Sequence, residues 1–431
     1  MLVVDMGLGK TIVISTVLAD LADDIDFGPV LIAAPKRVAA TVWPVEVRSW
    51  RHTKFLTCTH ITGDAATRRR LMRRETCLHV IGFDLLAWLV REWGKDWPYR
   101  IVIFDESSRL RDHRSVTFRA MKAVRPRLKR LHLLTATPAA QRLEALFPQV
   151  WLTDLGERLG SYVTHFRREY FDESRFRRGL TPKPGARERI FERIADKALV
   201  MQRKDYLDMP EALVQQRVVR MSAAERAKYI ELETEYVLQV APDRLVEAQT
   251  AAALSQKLLQ LASGAVYDAD RVAHEIHSRK LDELAEIVEE CAGQPLLVAY
   301  WFKSTLERLR RRFPQLVVLD KRGEAVKAWN ERRVPLLALH PQAGAHGLNL
   351  QFGGHNLVIV DSQHSLELHQ QLIKRLDRPG QTETVVVQML TTEGTLDEVV
   401  AARLRRLEDA QEDMFRRLKA LRAQAEGRLA A

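Results

Sequence analysis

A short stretch near the start of the chain has the residue types of a phosphate-binding loop. Gly7-Leu8-Gly9-Lys10-Thr11 follows the apolar run Leu2-Val3-Val4 and precedes an apolar pattern with helical spacing. In such a strand–loop–helix unit, glycine N–H groups and the helix N-terminus approach phosphate oxygens. Lys10 would reach the β- and γ-phosphates, and Thr11 would bind Mg²⁺. Val4 stands where the full motif has its first glycine, so an ordinary glycine turn is the alternative.

Two adjacent acids, Asp105 and Glu106, directly follow the apolar run 101–104. Ligands of parallel sheets bind at the carboxyl ends of the strands, so these acids are expected at the same edge as the glycine loop. Asp105 would hold Mg²⁺ through water, and Glu106 would orient and deprotonate a water that attacks a γ-phosphate. The alternative is a helix N-cap, a position that favours Asp and Ser.

Two arginines near the C-terminus could supply positive charge to a transferring phosphoryl group. Arg375 and Arg378 are three residues apart, which predicts that they share one face of a helix ended by Pro379-Gly380. Arginines contributed by another domain often stabilise the transition state of phosphoryl transfer. The alternative is a solvated basic face.

Apolar runs that alternate with helical patterns must position these residues, and they predict an α/β fold with two doubly wound parallel sheets. The runs of the first unit are 2–4, 30–34, 78–82, 101–104 and 131–134, and those of the second are 296–299, 316–319, 336–339, 357–360 and 384–387. We expect a first lobe at 1–153, a basic helical linker at 154–279, a second lobe at 280–400, and a C-terminal helix at 401–431 that packs onto the body.

The composition indicates a folded protein and favours a polyanionic partner. The 431 residues are 46% hydrophobic and 29% charged, and 67 Lys and Arg against 56 Asp and Glu give a formal net charge of +11. Nucleic acid is the first candidate and an anionic membrane surface the second. The cysteines Cys58, Cys77 and Cys291 form no CxxC pair, which favours a reducing compartment. No apolar run is long enough for a membrane helix, so we expect a cytoplasmic protein.

Phosphate contacts would come from basic side chains in the first lobe. These are Arg68, Arg69, Arg70, Arg73, Arg74, Arg109, Arg111, Arg114, Arg125, Arg127, Lys129 and Arg130. Such contacts position a protein without specifying sequence, so backbone tracking is favoured. Trp88, Trp93 and Trp97 are expected to pack in the core, with base stacking as the alternative.

In order along the chain, these motifs resemble those of the superfamily 2 helicase-like ATPases, and within them the Swi/Snf-type double-stranded DNA translocases. The matching segments are 5–11 for motif I, Pro35-Lys36 with Trp43 for motif Ia, 105–108 for motif II, 135–138 for motif III, 344–350 for motif V and 371–381 for motif VI, with 199–204 followed by Met209-Pro210 as the segment that joins the lobes.

The resemblance implies two RecA-like P-loop NTPase lobes that clamp ATP and Mg²⁺ between them and step along a nucleic-acid backbone. It adds Gly347 of motif V and Gln371 of motif VI to the nucleotide-binding residues of the glycine loop and Asp105. Duplex DNA, bound without sequence preference, is favoured as the partner. Three alternatives stay open: an RNA helicase, a nucleic-acid-binding protein without turnover, and a motor that works with a nuclease or a replication or repair protein on another chain.

The chain departs from the family pattern in two places. Motif II of the family commonly ends in His, whereas this chain has Ser107-Ser108 there. The His that usually couples this position to motif III is therefore missing. The chain also begins only nine residues before Lys10, without the Gln segment by which family members read adenine. We therefore expect a first lobe that lacks its beginning.

Overall fold

The structure is a computed structural model, and it describes residues 1–22, 27–139, 142–173, 180–240, 248–268, 270–320, 323–344 and 348–430. The chain forms two compact units. The first contains Met1–Asp208 together with Asp409–Ala431, and the second contains Met209–Glu408. The predicted linker, 154–279, is therefore divided between the two units.

The first unit is built on a seven-stranded parallel sheet. Its strands are β1 (Leu2–Val4), β2 (Val30–Ala34), β3 (Cys58–Ile61), β4 (Leu78–Gly82), β5 (Ile101–Asp105), β6 (Arg130–Thr135) and β9 (Leu199–Met201), and a separate antiparallel hairpin pairs β7 (Phe171–Glu173) with β8 (Leu180–Pro182). The order across the sheet is β3-β4-β2-β5-β6-β1-β9. Every pairing is parallel, so the carboxyl ends of β1, β5 and β6 lie at one edge.

In the described part of the first unit, nine α-helices precede residue 195. They are α1 (Lys10–Asp20), α2 (Lys36–Thr41), α3 (Trp43–Ser49), α4 (Ala65–Met72), α5 (Phe83–Trp93), α6 (Val116–Val124), α7 (Leu146–Asp154), α8 (Val163–Tyr170) and α9 (Ala186–Ile194). The short strand β9 comes from the predicted linker and hydrogen-bonds to β1, so this sheet uses residues from beyond the predicted first lobe.

The second unit contains a six-stranded parallel sheet of order β10-β17-β16-β13-β15-β14. Its strands are β10 (Leu213–Val219), β13 (Leu296–Ala299), β14 (Val317–Val318), β15 (Leu336–Leu339), β16 (Asn356–Ile359) and β17 (Val386–Thr392), and a hairpin pairs β11 (Ala265–Tyr267) with β12 (Ala273–Glu275). Its helices are α10 (Ala223–Val240), α11 (Ala248–Ala262), α12 (Arg279–Glu290), α13 (Lys303–Arg312), α14 (Glu324–Asn330), α15 (Pro341–Gly344), α16 (Leu366–Ile373) and the start of α17 (Leu396–Ala430).

Both sheets are buried on both faces, which explains the continuous apolar runs. In β2, Val30 and Ile32 pack in one cluster with Trp43, whereas Leu31 packs on the opposite face with Phe104. Strand β13 of the second unit divides its side chains between two clusters in the same way. The predicted α/β class with two helix-flanked parallel sheets is confirmed.

The C-terminal helix α17 contributes to the core of each unit with a different part of its length. Val400 and Leu404 pack against Phe302 in the second unit. Met414 and Leu418 are buried in a cluster of the first unit. The expectation that the tail packs onto the body is confirmed by these contacts. Among the helices that the structure describes, none is long and apolar enough to cross a membrane.

Candidate functional site

The loop between β1 and α1 has a backbone that only glycine adopts easily. Gly7 has φ 90° and Gly9 has φ 69°, both in the left-handed region. A Cβ on Gly9 would lie 2.9 Å from Cγ2 of Ile12. Helix α1 begins directly afterwards, at Lys10. The first-turn N–H groups of an 11-residue helix therefore face a loop that has no side chain at either glycine, which is the form of a phosphate cradle.

The Lys10 side chain lies across this loop, close to the first acid of the β5 edge. Its Nζ donates a hydrogen bond of 2.7 Å to the carbonyl of Val4. Burial raises the pKa of the Asp105 carboxyl, and the positive charge of Lys10 opposes that rise. The structure thus brings Lys10 and Asp105 together, as the sequence predicts. Thr11 lies beside Lys10 in the first turn of α1.

Asp105, at the end of β5, is held by a tryptophan that is distant in sequence. Nε1 of Trp43 donates a 3.0 Å hydrogen bond to Oδ2 of Asp105. Burial raises the pKa of this carboxyl, while the Trp43 hydrogen bond and the Lys10 charge oppose the rise. A carboxylate oxygen at this edge of the sheet is the type of ligand that Mg²⁺ prefers. The sequence places Trp43 in motif Ia but does not predict this contact.

Glu106 has an unusual backbone conformation, with φ 71° and ψ 66°. A non-glycine residue in the left-handed region carries a strain of about 1–2 kcal/mol. The carboxylate is held by Thr135, whose Oγ1 donates to Glu106 Oε1 at 3.2 Å. Thr135 ends β6, the strand beside β5. Motifs II and III therefore meet at this edge of the sheet.

The segment predicted to join the lobes also reaches the loop after β1. The backbone N–H of Arg203 donates to Oδ2 of Asp5 at 2.9 Å. The N–H of Asp5 in turn donates to the carbonyl of Met201 at 3.0 Å. These bonds continue the parallel pairing of β1 with β9. They fix the first residue of motif I within the first unit.

In the second unit, the prediction that one helix carries both arginines is wrong. Helix α16 ends at Ile373, and both arginines follow it in turns. Pro379 disfavours helical backbone at the residue before it, Arg378. The Arg375 carbonyl accepts a hydrogen bond from the N–H of Leu350 at 3.2 Å.

The two arginines nevertheless converge on one backbone carbonyl. Nη1 of Arg375 donates to the Leu348 carbonyl at 3.1 Å, and Nη1 of Arg378 donates to it at 2.9 Å. Arg378 also donates to Oδ1 of Asn349 at 2.5 Å. Burial lowers the pKa of the Arg378 guanidinium. Side chains from motif VI are thus anchored on residues of motif V.

The structure describes some, but not all, of the other predicted residues of motifs V and VI. Gln371 is buried on α16, and its Nε2 donates to Oε1 of Glu367 at 3.4 Å. Gln381 donates to the carbonyls of Gln351 and Gly354 at 2.9 and 3.0 Å. Gly347 lies outside the described residues.

Several of the predicted phosphate-binding arginines have partners within the first unit. Arg125 donates to the carbonyls of Leu152 and Thr153. Arg69 is paired with Glu92 at 2.5 Å. The Arg68 guanidinium lies 4.5 Å from the ring centroid of Trp88. The exposed members of the set include Arg70, Arg73, Arg74, Arg109, Arg114, Arg127, Lys129 and Arg130.

The three tryptophans fit the predicted packing role. Trp97 is buried and donates to the carbonyl of Tyr99 at 2.9 Å. Trp88 and Trp93 pack against the same core cluster. These contacts favour core packing over base stacking.

A family model described as the SNF2-related domain matches residues 1–267. The chain belongs to the SNF2-related domain family. Membership in this family implies ATP hydrolysis. The resemblance to Swi/Snf-type ATPases that the motif order indicates is confirmed.

Individual relatives extend the likeness over most of the chain. Protein p41 of Acyrthosiphon pisum secondary endosymbiont phage 1 is 35% identical over 92% of this chain and 90% of its own length. The Arabidopsis thaliana protein named "Probable ATP-dependent DNA helicase CHR12" is 25% identical over 93% of this chain. This SNF2-family chain spans only 38% of the Arabidopsis protein.

A solved structure was also matched. It is the Sulfolobus solfataricus SWI2/SNF2 ATPase core in complex with dsDNA, at 18% identity, with a TM-score of 0.43 and coverage of 97% of this SNF2-family chain and 92% of that chain.

Proposed function

We propose that this SNF2-family chain is a DNA-dependent ATPase that moves along double-stranded DNA. The observation that carries the proposal is the strained Glu106, held at 3.2 Å by Thr135 beside the carboxylate of Asp105. Such strain is retained where the surrounding structure over-determines it, and functional sites are the usual place. The net charge of +11 supports a polyanionic track.

Each predicted residue has a chemical role in this proposal. Lys10 and the N–H groups of the glycine loop bind the β- and γ-phosphates of ATP. Glu106 takes the proton of the attacking water. Arg375 and Arg378 stabilise the negative charge that develops on the phosphoryl group. Gly347 and Gln371 contribute to the nucleotide site from motifs V and VI.

The donor set also fits Mg²⁺, which prefers oxygen ligands. The Thr11 hydroxyl and the Asp105 carboxylate would hold the ion, with water between the ion and the carboxylate. Bound Mg²⁺ would neutralise charge on the phosphate oxygens. The glycine loop leaves room for these phosphates because Gly7 and Gly9 carry no side chain.

Turnover on different nucleic acids tests this function. We expect duplex DNA to stimulate ATP hydrolysis by at least about tenfold, and the stimulation to fall steeply with added salt because phosphate contacts release counterions. Lys10→Ala should abolish it. Displacement of the third strand from a DNA triplex would then report movement along the duplex.

Other results would select the alternatives. Stronger stimulation by RNA, with unwinding of a tailed duplex, would favour an RNA helicase. DNA binding without stimulated turnover would favour a binding protein. DNA cleavage would need a nuclease on another chain. We therefore include in the proposal a motor that works with a nuclease, or with a replication or repair protein, as its partner.

We propose that this chain acts in the cytoplasm of a bacterial or phage-infected cell, which the likeness to the phage protein supports.

Substitution of Gly9 tests the phosphate cradle separately. We expect Gly9→Ala to raise the KM for ATP roughly tenfold, since the new Cβ would crowd Ile12 at 2.9 Å and distort the loop. Gly94→Ala is the matched control, because Gly94 also has a positive φ but a Cβ there meets nothing within 4 Å. Alanine at Gly94 (φ 50°, ψ −115°) carries at least as much backbone strain as alanine at Gly9 (φ 69°, ψ 38°), so an equal KM in the two variants would contradict the cradle.

A further inference from the structure

A buried glutamine on α7 makes three hydrogen bonds beside the site. Gln149 is fully buried, and its Oε1 accepts from Oγ of Ser107 at 2.7 Å. Its Nε2 donates to the carbonyl of Pro138 at 2.7 Å and to that of Ala145 at 2.8 Å. A buried amide that loses its partners is costly, so these bonds define one orientation of the side chain.

Two of these bonds, to Ser107 and Pro138, join the two loops that hold the predicted catalytic carboxylate. Ser107 directly follows Glu106, and Pro138 ends the segment that begins with Thr135. Thr135 Oγ1 donates to the Glu106 carboxylate and accepts from the N–H of Thr137 at 3.0 Å. The motif II and motif III loops are therefore linked twice, once at the Glu106 carboxylate and once through Gln149.

The second link adjoins the position where the sequence lacks the residue usual in motif II. Ser108, the last residue of that segment, stands where His is common, and both Ser107 and Ser108 are buried. The Gln149 side chain, on α7, joins Ser107 to the Pro138 carbonyl, and it lies 42 residues along the chain from Ser107.

We propose that Gln149 is a positioning residue that holds Glu106 in place through Ser107 and ties it to the motif III loop through Pro138. The inference rests on the proposed function, because the role of Glu106 in ATP hydrolysis belongs to that function. Glu106 has φ 71°, and rotation to a negative φ would relieve strain while swinging its carboxylate away. Anchoring of the next residue by Gln149 opposes that rotation.

A simple core amide would have the same bonds but a different response to substitution. Loss of a core amide lowers stability, whereas loss of a positioning residue lowers kcat in protein that is still folded. We therefore compare Ser107→Ala, Gln149→Met and the double variant. Each is measured for kcat and KM in DNA-stimulated ATP hydrolysis and for its thermal unfolding midpoint.

Gln149→Met is expected to lower kcat by roughly 10- to 100-fold with the KM for ATP changed less than about twofold, because small displacements of a catalytic group cost this much. Ser107→Ala should lower kcat about tenfold, and the double variant should be no worse than Gln149→Met. Ser107→Thr keeps the hydroxyl and should stay within about threefold of the wild type.

Thr153→Val is the matched control on the same helix. Its Oγ1 donates to the Val150 carbonyl at 2.7 Å, so the variant removes one hydrogen bond of α7 without touching motif II. It should keep the wild-type kcat.

The outcomes separate this inference from the function on which it rests. Unchanged kcat in Ser107→Ala and Gln149→Met, or losses that add in the double variant, would overturn the positioning role alone. Should Gln149→Met fail to fold, Ser107→Ala against Ser107→Thr decides the question by itself. A wild-type chain without DNA-stimulated turnover would overturn the proposed function and this inference with it.

Discussion

Replacing Glu106 with Gln is expected to lower kcat for ATP hydrolysis by about 10²- to 10⁴-fold while ATP still binds. The amide has nearly the shape of the carboxylate, and its oxygen can accept the Thr135 hydrogen bond of 3.2 Å. It cannot take a proton from water. The variant therefore removes the base and leaves the phosphate loop and the fold in place. Phosphate release measures kcat, and a fluorescent ATP analogue measures binding.

Glu92→Gln is the control for this substitution. Glu92 is a carboxylate of the same unit, paired with Arg69 at 2.5 Å on α4. Its replacement should leave kcat unchanged. If Glu106→Gln kept more than about a tenth of the wild-type kcat, the base would have to be another group. Loss of ATP binding together with turnover would instead show that Glu106 holds the loop.

Most strands could be predicted because they are buried on both faces and hence apolar throughout. The runs 30–34, 78–82, 296–299 and 336–339 coincide with strands of the structure. Edge strands carry a weaker signal. In Cys58–Ile61, buried and half-buried side chains alternate over only four residues. Leu213–Val219 has mostly exposed side chains, so no apolar run marks it.

The pairing of strands that are distant in sequence also cannot be predicted from a local sequence pattern. Leu199–Met201 is a strand of three residues within a basic region, and it forms because β1 offers it a partner. Residues 384–387 were expected as a strand from their apolar run, yet β17 begins at Val386 and continues to Thr392. Its register with β16 and β10 sets those bounds.

The candidate site likewise has features that the sequence predicts and contacts that only the structure shows. The glycine loop and the two acids are contiguous in sequence, so residue type and spacing are enough to find them. The contacts of Trp43 with Asp105 and of Gln149 with Ser107 join residues 62 and 42 positions apart. No spacing rule connects such pairs. The two arginines could be found from residue type and spacing, but the prediction that they share a helix is wrong. Their convergence on the Leu348 carbonyl comes from tertiary contacts.

Replacing Lys280 with Met is expected to destabilise the second unit by about 3–5 kcal/mol. Nζ of Lys280 lies 2.6 Å from Oδ2 of Asp397, and neither side chain is exposed to solvent. Nζ also donates to the Val360 carbonyl at 2.9 Å, at the end of β16. Without Lys280, the Asp397 carboxylate keeps the N–H of Thr392 at 3.1 Å but loses its counter-charge. Amide hydrogen exchange in β13 and β16 measures the loss within that unit.

The double variant Lys280→Met/Asp397→Leu distinguishes the ion pair from the space it fills. Removing both charges ends the desolvation of an unpaired carboxylate, so the double variant should be more stable than Lys280→Met, although the Val360 carbonyl loses its donor. Arg220→Gln is the exposed control, because its ion pair with Glu393 is open to solvent and contributes little. Equal exchange in Lys280→Met and Arg220→Gln would mean that the buried pair does not stabilise the sheet. A double variant as unstable as Lys280→Met would instead assign the loss to packing around α12 and the first turn of α17.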